Sequence, residues 1–222
     1  IVIFLRGAHD TGPDARAWLA RLAGPHLGVF ALDCPSAAPR PYSLRGGAVA
    51  SVWFDRVGYG PDLPEDAHSL DASAAALLKI IDSYVAAGVP PAKIAIGGFS
   101  QGGCMAYHAA AQWHADATNA PLGAVFALPS YLSNDAAAYA LAAETPDRWP
   151  PVLALHGDVD DLHAWGARTA ARLSDAGVDV EFETLPGVAH HLSERSVSLL
   201  WDFLHRHLDA PGDSGGRYDG PN

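Results

Sequence analysis

Ser100 lies in Gly98-Phe-Ser-Gln-Gly102, a G-x-S-x-G pattern. A serine hydroxyl is a weak nucleophile until a base takes its proton. The base in turn needs an anionic group to hold its tautomer and stabilise its cation. Two later stretches offer such groups: His156-Gly-Asp-Val-Asp-Asp161 and Gly187-Val-Ala-His-His191. The chemistry these parts could perform is acyl transfer through a covalent serine intermediate. Asp158, Asp160 and Asp161 compete for the acid's role. Asp160 stands where a side chain just past a strand end can turn back toward the serine. Asp158 is expected to serve the turn and Asp161 to face solvent. His190 and His191 compete for the base, and spacing does not choose between them.

The surrounding elements are what such chemistry requires. Ile94 to Ile96 reads as a buried strand, and Cys104 to Ala111 opens a helix that runs to about Trp113. Strand, sharp turn and helix expose the serine oxygen and put a helix N-terminus behind it. Glycine at 98 and 102 is expected because Cβ atoms there would strike neighbouring chain. Further strands are read at 1–5, 28–32, 123–128, 152–155 and 180–185, the last an edge strand. Helices are read at 14–23, 70–87, 134–143, 163–176 and 193–207, with Gly24-Pro25 stopping the first. This alternation predicts an α/β fold with one mostly parallel, six-stranded sheet covered on both faces. In a fold of that kind the acid and the histidine follow the serine in chain order, on loops at strand ends. Residues 33–68 read as a long irregular excursion whose Val52, Trp53, Phe54 and Val57 pack rather than float. One domain is expected over 1–208, with a disordered polar tail over 209–222.

The chain has 222 residues, 49% of them apolar, enough for one sizeable core. Its net charge of −11 comes without a basic cluster. That argues against nucleic acid and against an anionic membrane surface as partners. Two isolated cysteines, Cys34 and Cys104, fit reduced thiols and a cytoplasmic home. No apolar stretch approaches a membrane span and no signal peptide is visible. The chain opens at Ile1 inside an apparent strand, which leaves targeting weakly constrained. Eleven histidines invite a metal reading, but none of the usual ligand spacings is present.

The chain resembles the acyl-protein thioesterase/lysophospholipase (phospholipase/carboxylesterase) family of small α/β-hydrolases, and within it the lysophospholipase-like branch. The residues that carry the resemblance are Ile3-Phe-Leu-Arg-Gly7, Asp10-Thr-Gly12, Pro35 to Ser43, Val52-Trp-Phe-Asp-Arg56, Ile96 to Ala106, Gly123 to Leu128, His156-Gly157 with Asp160, and His190 with Leu192-Ser193. The resemblance implies Ser100 as nucleophile, Asp160 as acid and His190 as base. It also implies an oxyanion hole from the backbone N–H groups of Ala8 and Gln101. It implies no metal and no organic cofactor. The substrates it implies are small esters, lysolipids or S-acylated proteins, handled by a monomer or weak homodimer without stable membrane insertion. Trp53 and His9 are candidates for the substrate site, Trp53 as part of a family signature that also fits an anchor for the long loop. Arg6-Gly7 stands where the family has His-Gly, and His9 where it has a small residue, usually glycine. The segment after Asp160 is about two residues shorter than the family's. His9 is expected to narrow the acyl site toward short chains.

Overall fold

A computed structural model describes residues 1–23 and 29–208. Among these the strands are β1 (Val2–Leu5), β2 (Leu32–Asp33), β3 (Pro39–Tyr42), β4 (Ala48–Ser51), β5 (Ala95–Phe99), β6 (Ala124–Leu128), β7 (Val152–Gly157) and β8 (Val180–Leu185). The helices are α1 (Gly12–Ala23), α2 (Ala67–Ala86), α3 (Gln101–Ala115), α4 (Ala137–Glu144), α5 (His163–Asp175) and α6 (Glu194–Leu208). Six strands form one parallel sheet in the order β2-β1-β5-β6-β7-β8.

The central strands are buried on both faces, so they read as unbroken apolar runs rather than alternating ones. Their residues divide strictly by side. Val2, Phe4, Phe126 and Leu128 pack with Leu19 of α1 and with Val197, Leu200 and Leu204 of α6. Ile3, Leu5, Ile96 and Val125 pack with Leu77 and Ile81 of α2, with Met105 and Ala109 of α3, and with α4. β8 carries partly exposed residues at every second position or more, as an edge strand should.

Several boundaries differ from those read in the sequence. β5 runs through Gly97 and Gly98 to Phe99, three residues beyond the apolar run. A Cβ at Gly97 would lie 2.2 Å from the Phe126 ring, so the neighbouring aromatic fills the space that glycine leaves. β2 comprises only Leu32–Asp33, and the start of the strand expected at 28–32 lies outside the described residues, as do Gly24-Pro25 and the segment 209–222. α2 begins at Ala67, where the Asp66 carboxylate accepts the Ser69 N–H at 3.0 Å as a cap. α4 begins three residues later than expected, at Ala137. The excursion over 33–68 contains a hairpin: β3 and β4 pair antiparallel through Pro39–Ser51 to Tyr42–Ala48. Among the described residues no helix is long and apolar enough to cross a membrane.

Candidate active site

The turn between β5 and α3 is forced by close packing. Ser100 has φ 55° and ψ −122°, a left-handed conformation that costs a non-glycine residue about 1–3 kcal/mol. Cβ atoms at Gly98 and Gly102 would come within 2.2 and 2.1 Å of the same atom, the Leu5 carbonyl oxygen at the end of β1. Glycine at both positions therefore lets β1 and the turn touch. That contact also brings the loop after β1 over the serine: a Cβ on Gly7 would sit 3.4 Å from Ser100 Cβ. Further hydrogen bonds brace the turn. Ser100 N–H donates to Leu128 O at 3.1 Å, and Ser130 Oγ donates to Ser100 O at 2.8 Å.

Parallel strands deliver the other groups to the same end of the sheet. Asp160 follows β7 by three residues and His190 follows β8 by five. His190 Nδ1 lies 2.7 Å from Asp160 Oδ2, and His190 Nε2 lies 3.0 Å from Ser100 Oγ. A carboxylate only accepts, so Nδ1 carries the proton and Nε2 is left to accept from the serine hydroxyl. The Asp160 side chain is 1% exposed, and its other oxygen accepts Leu162 N–H at 2.9 Å. Phe99 lies against the His190 ring at 5.0 Å between centroids. The competing residues go elsewhere. Asp158 accepts the Gly187 N–H at 2.6 Å, and Asp161 and His191 are exposed.

A residue that the sequence did not single out for the site lies beneath the acid. His156 is buried, with Nε2 3.1 Å from Asp160 Oδ2 but out of line for a hydrogen bond. Burial drives its pKa down to about 4, against the opposing pull of Asp160. His156 is therefore neutral near pH 7 and leaves the full carboxylate charge facing His190. Gly166 on α5 makes room for it, since a Cβ there would lie 2.2 Å from His156 Nδ1. The His-Gly pair before the acidic loop was the available signal, but only the folded packing brings the ring to the acid.

Trp53 connects the segments that carry Ala8 and Gln101. Gln101 is buried; its side-chain oxygen accepts Trp53 N–H at 2.9 Å and its amide donates to Phe54 O at 2.8 Å. The Trp53 indole donates to Arg6 O at 2.8 Å. Trp53 is only 4% exposed and does not line the groove over the serine. Arg6 stacks on Trp18 at 3.5 Å and pairs with Asp10 at 2.7 Å. His9, in contrast, is exposed and lines the groove. Its φ of 78° is one that glycine adopts freely and histidine does not. Its N–H donates to Ser51 O at 2.8 Å, and its ring meets Tyr42 edge-on at 5.4 Å. The loop is thus pinned to the β3–β4 hairpin. The groove has a volume of about 480 Å³, with Tyr59, Val159 and Leu162 among its walls. A serine hydroxyl, an imidazole and a buried carboxylate in a hydrogen-bonded series beside one groove can carry acyl transfer.

Residues 1–208 match the family model described as phospholipase/carboxylesterase. The chain is 33% identical over 220 residues to lysophospholipase-like protein 1 of Mus musculus, covering 97% of this chain and 89% of that protein. It is 29% identical over 210 residues to acyl-protein thioesterase 1 homolog 1 of Dictyostelium discoideum, covering 93% and 90%. The crystal structure of SOBER1 from Arabidopsis thaliana superposes with a TM-score of 0.82 at 25% identity, covering 93% of this chain and 98% of that one.

Proposed function

This chain belongs to the phospholipase/carboxylesterase family and is a serine hydrolase of carboxylic esters or thioesters; on that premise we propose that Ser100, His190 and Asp160 carry the reaction. The observation that supports the assignment is the position of one imidazole, 3.0 Å from the serine oxygen and 2.7 Å from a buried carboxylate. His190 takes the Ser100 proton as Oγ attacks the acyl carbonyl. The imidazolium is held by Asp160 and then gives its proton to the leaving alcohol or thiol. Water enters, gives a proton back to His190 and attacks the acyl-enzyme, which releases the acid and restores Ser100. The N–H groups of Ala8 and Gln101 stabilise the tetrahedral oxyanion. Removing one such donor typically costs about 3–4 kcal/mol of barrier. No step calls on a metal or an organic cofactor.

One domain, residues 1–208, carries the whole reaction. The substrates are small carboxylic esters, lysolipids or S-acylated proteins, and the names of the mouse and Dictyostelium relatives support the latter two. The unpaired thiols of Cys34 and Cys104 support a cytoplasmic setting. The test is a paired ester and thioester chain-length series on the wild type and Ser100→Ala, with fluorophosphonate labelling alongside. We expect labelling to vanish and kcat to fall at least 10⁴-fold in the variant. Turnover that survives in Ser100→Ala overturns the assignment.

A further inference from the structure

A second cluster of chemistry-bearing side chains lies one helical turn behind the serine. Cys104 and His108 are four residues apart on α3 and so project from the same side of the helix. Glu65, just before α2, meets them. His108 Nε2 is 2.9 Å from Glu65 Oε2, and Cys104 Sγ is 3.4 Å from Glu65 Oε1. All three ligand atoms lie within 4.8 Å of one another. We propose that Glu65, Cys104 and His108 form a zinc-binding site that the ester-hydrolysing machinery does not use.

Four observations carry this. The first is burial. The His108 side chain is 7% exposed and that of Glu65 9%, and His108 Nε2 lies 2.9 Å from Glu65 Oε2, so an imidazole and a carboxylate face one another out of solvent. The second is spacing. Tetrahedral zinc with bonds of about 2.0–2.3 Å holds its ligand atoms roughly 3.3–3.8 Å apart. The sulfur–oxygen distance to Oε1 falls there, the nitrogen–oxygen distance to Oε2 needs a few tenths of an ångström, and the three donors lie within 4.8 Å of one another.

The third is charge. Zinc replaces the proton that the Cys104 thiol now donates to Glu65, and that proton leaves to solvent. A carboxylate, a thiolate and a neutral imidazole around Zn²⁺ then sum to zero net charge, the state a buried site tolerates best. The fourth is access. A cavity of about 190 Å³ borders Glu65 and His108, and Asp71 and Asp135 line it. It gives a cation a route in and leaves room for a water as fourth ligand. The set of one sulfur, one nitrogen and one oxygen donor suits zinc over magnesium or calcium, which take oxygen ligands.

The experiment titrates Co²⁺, as a coloured stand-in, and then Zn²⁺ into the full chain. We expect one Co²⁺ per chain with a thiolate-to-cobalt charge-transfer band, displaced by one Zn²⁺. Cys104→Ser should abolish the band. His108→Gln and Glu65→Gln should weaken Zn²⁺ affinity at least tenfold, each at a melting temperature that shows a folded chain. Cys34→Ser and His190→Gln should leave the band and the affinity intact. The second of these controls is needed because His156, Asp160 and His190 also bring three donor atoms within 4.8 Å. No charge-transfer band, a band that persists in Cys104→Ser, or Zn²⁺ binding that disappears in His190→Gln each overturns the proposal.

Discussion

Lowering the pH from 7.5 to 5 should destabilise this protein sharply, and His114 should account for about half of the loss. His114 is fully buried near the end of α3. Its Nε2 accepts the Leu122 N–H at 3.2 Å, and its ring lies against Trp149 at 5.6 Å. Burial drives its pKa from 6.5 down to about 4, with the nearby Arg148 adding to the shift and a backbone contact opposing it. Protonation would also turn the acceptor of Leu122 into a second donor. His156 is lowered to about 4 for the same first reason. In both cases the unfolded chain binds the proton more readily than the folded one. Their contribution to stability is therefore complete above pH 6.5 and is lost as pH falls toward 4. At pH 5 the loss is about 2 kcal/mol for each histidine, so about 4 kcal/mol from a total that is typically 5–15 kcal/mol. Urea unfolding followed by tryptophan fluorescence reads this directly. His114→Gln keeps an amide oxygen that can accept from Leu122 and removes one titration. The fall in urea midpoint between pH 7.5 and 5 should shrink by about 1 M relative to the wild type. Lowered carboxylates such as Asp66 and Glu65 act only further down the pH scale. An equal fall in midpoint for both proteins would refute the assignment of the loss to His114.

Other outcomes follow from the packing around the serine. Gly102→Ala puts a Cβ about where the Leu5 carbonyl stands, 2.1 Å away, so β1 and the turn must separate by close to an ångström; stability should drop by about 3 kcal/mol and kcat by about 100-fold, and a variant of normal activity would deny the contact. Trp53→Phe removes the indole N–H from Arg6 O at the cost of about 1 kcal/mol; kcat/KM should fall about fivefold while fluorophosphonate still labels Ser100, and unchanged kcat/KM would show that the tether is idle. His9→Gly relieves a left-handed φ but loosens the unfolded chain, so stability should move by less than about 1 kcal/mol. Its effect should fall on specificity, with preference among nitrophenyl esters moving toward longer acyl chains; an unaltered chain-length profile removes His9 from the acyl wall.

The parallel sheet was legible because each central strand is a β-branched or apolar run set between amphipathic helices. Periodicity reports that arrangement directly. The hairpin was not legible. Pro39 and Pro41 argue against a strand wherever a ladder must form on both sides, but β3 has only one partner, so its prolines cost little. The end of β5 was hidden by Gly97 and Gly98, whose reason for being in a strand is a ring and a carbonyl contributed by its two neighbours. Ser100, Asp160 and the His190-His191 pair could be nominated because each follows a strand in a fixed chain order, and the family resemblance chose His190 of the two. The meeting of His156 with Asp160, the grip of the Gln101 side chain on the 53–54 backbone and the convergence of Glu65 on α3 all join residues distant in sequence or ordered by loops. No local pattern encodes those contacts.

Trp53 ties together the two segments of the proposed oxyanion hole. Ala8 and Gln101 stand 93 positions apart in the chain, yet one residue of the excursion holds Arg6 by its indole and Gln101 by its backbone N–H. The excursion therefore acts as a latch outside the parallel sheet. Its local opening would release both donor segments at once while β1, β5 and the serine turn stay folded. Mild denaturant should accordingly abolish turnover before it melts the sheet, and hydrogen exchange at Trp53 and Phe54 should report the same opening that silences the enzyme.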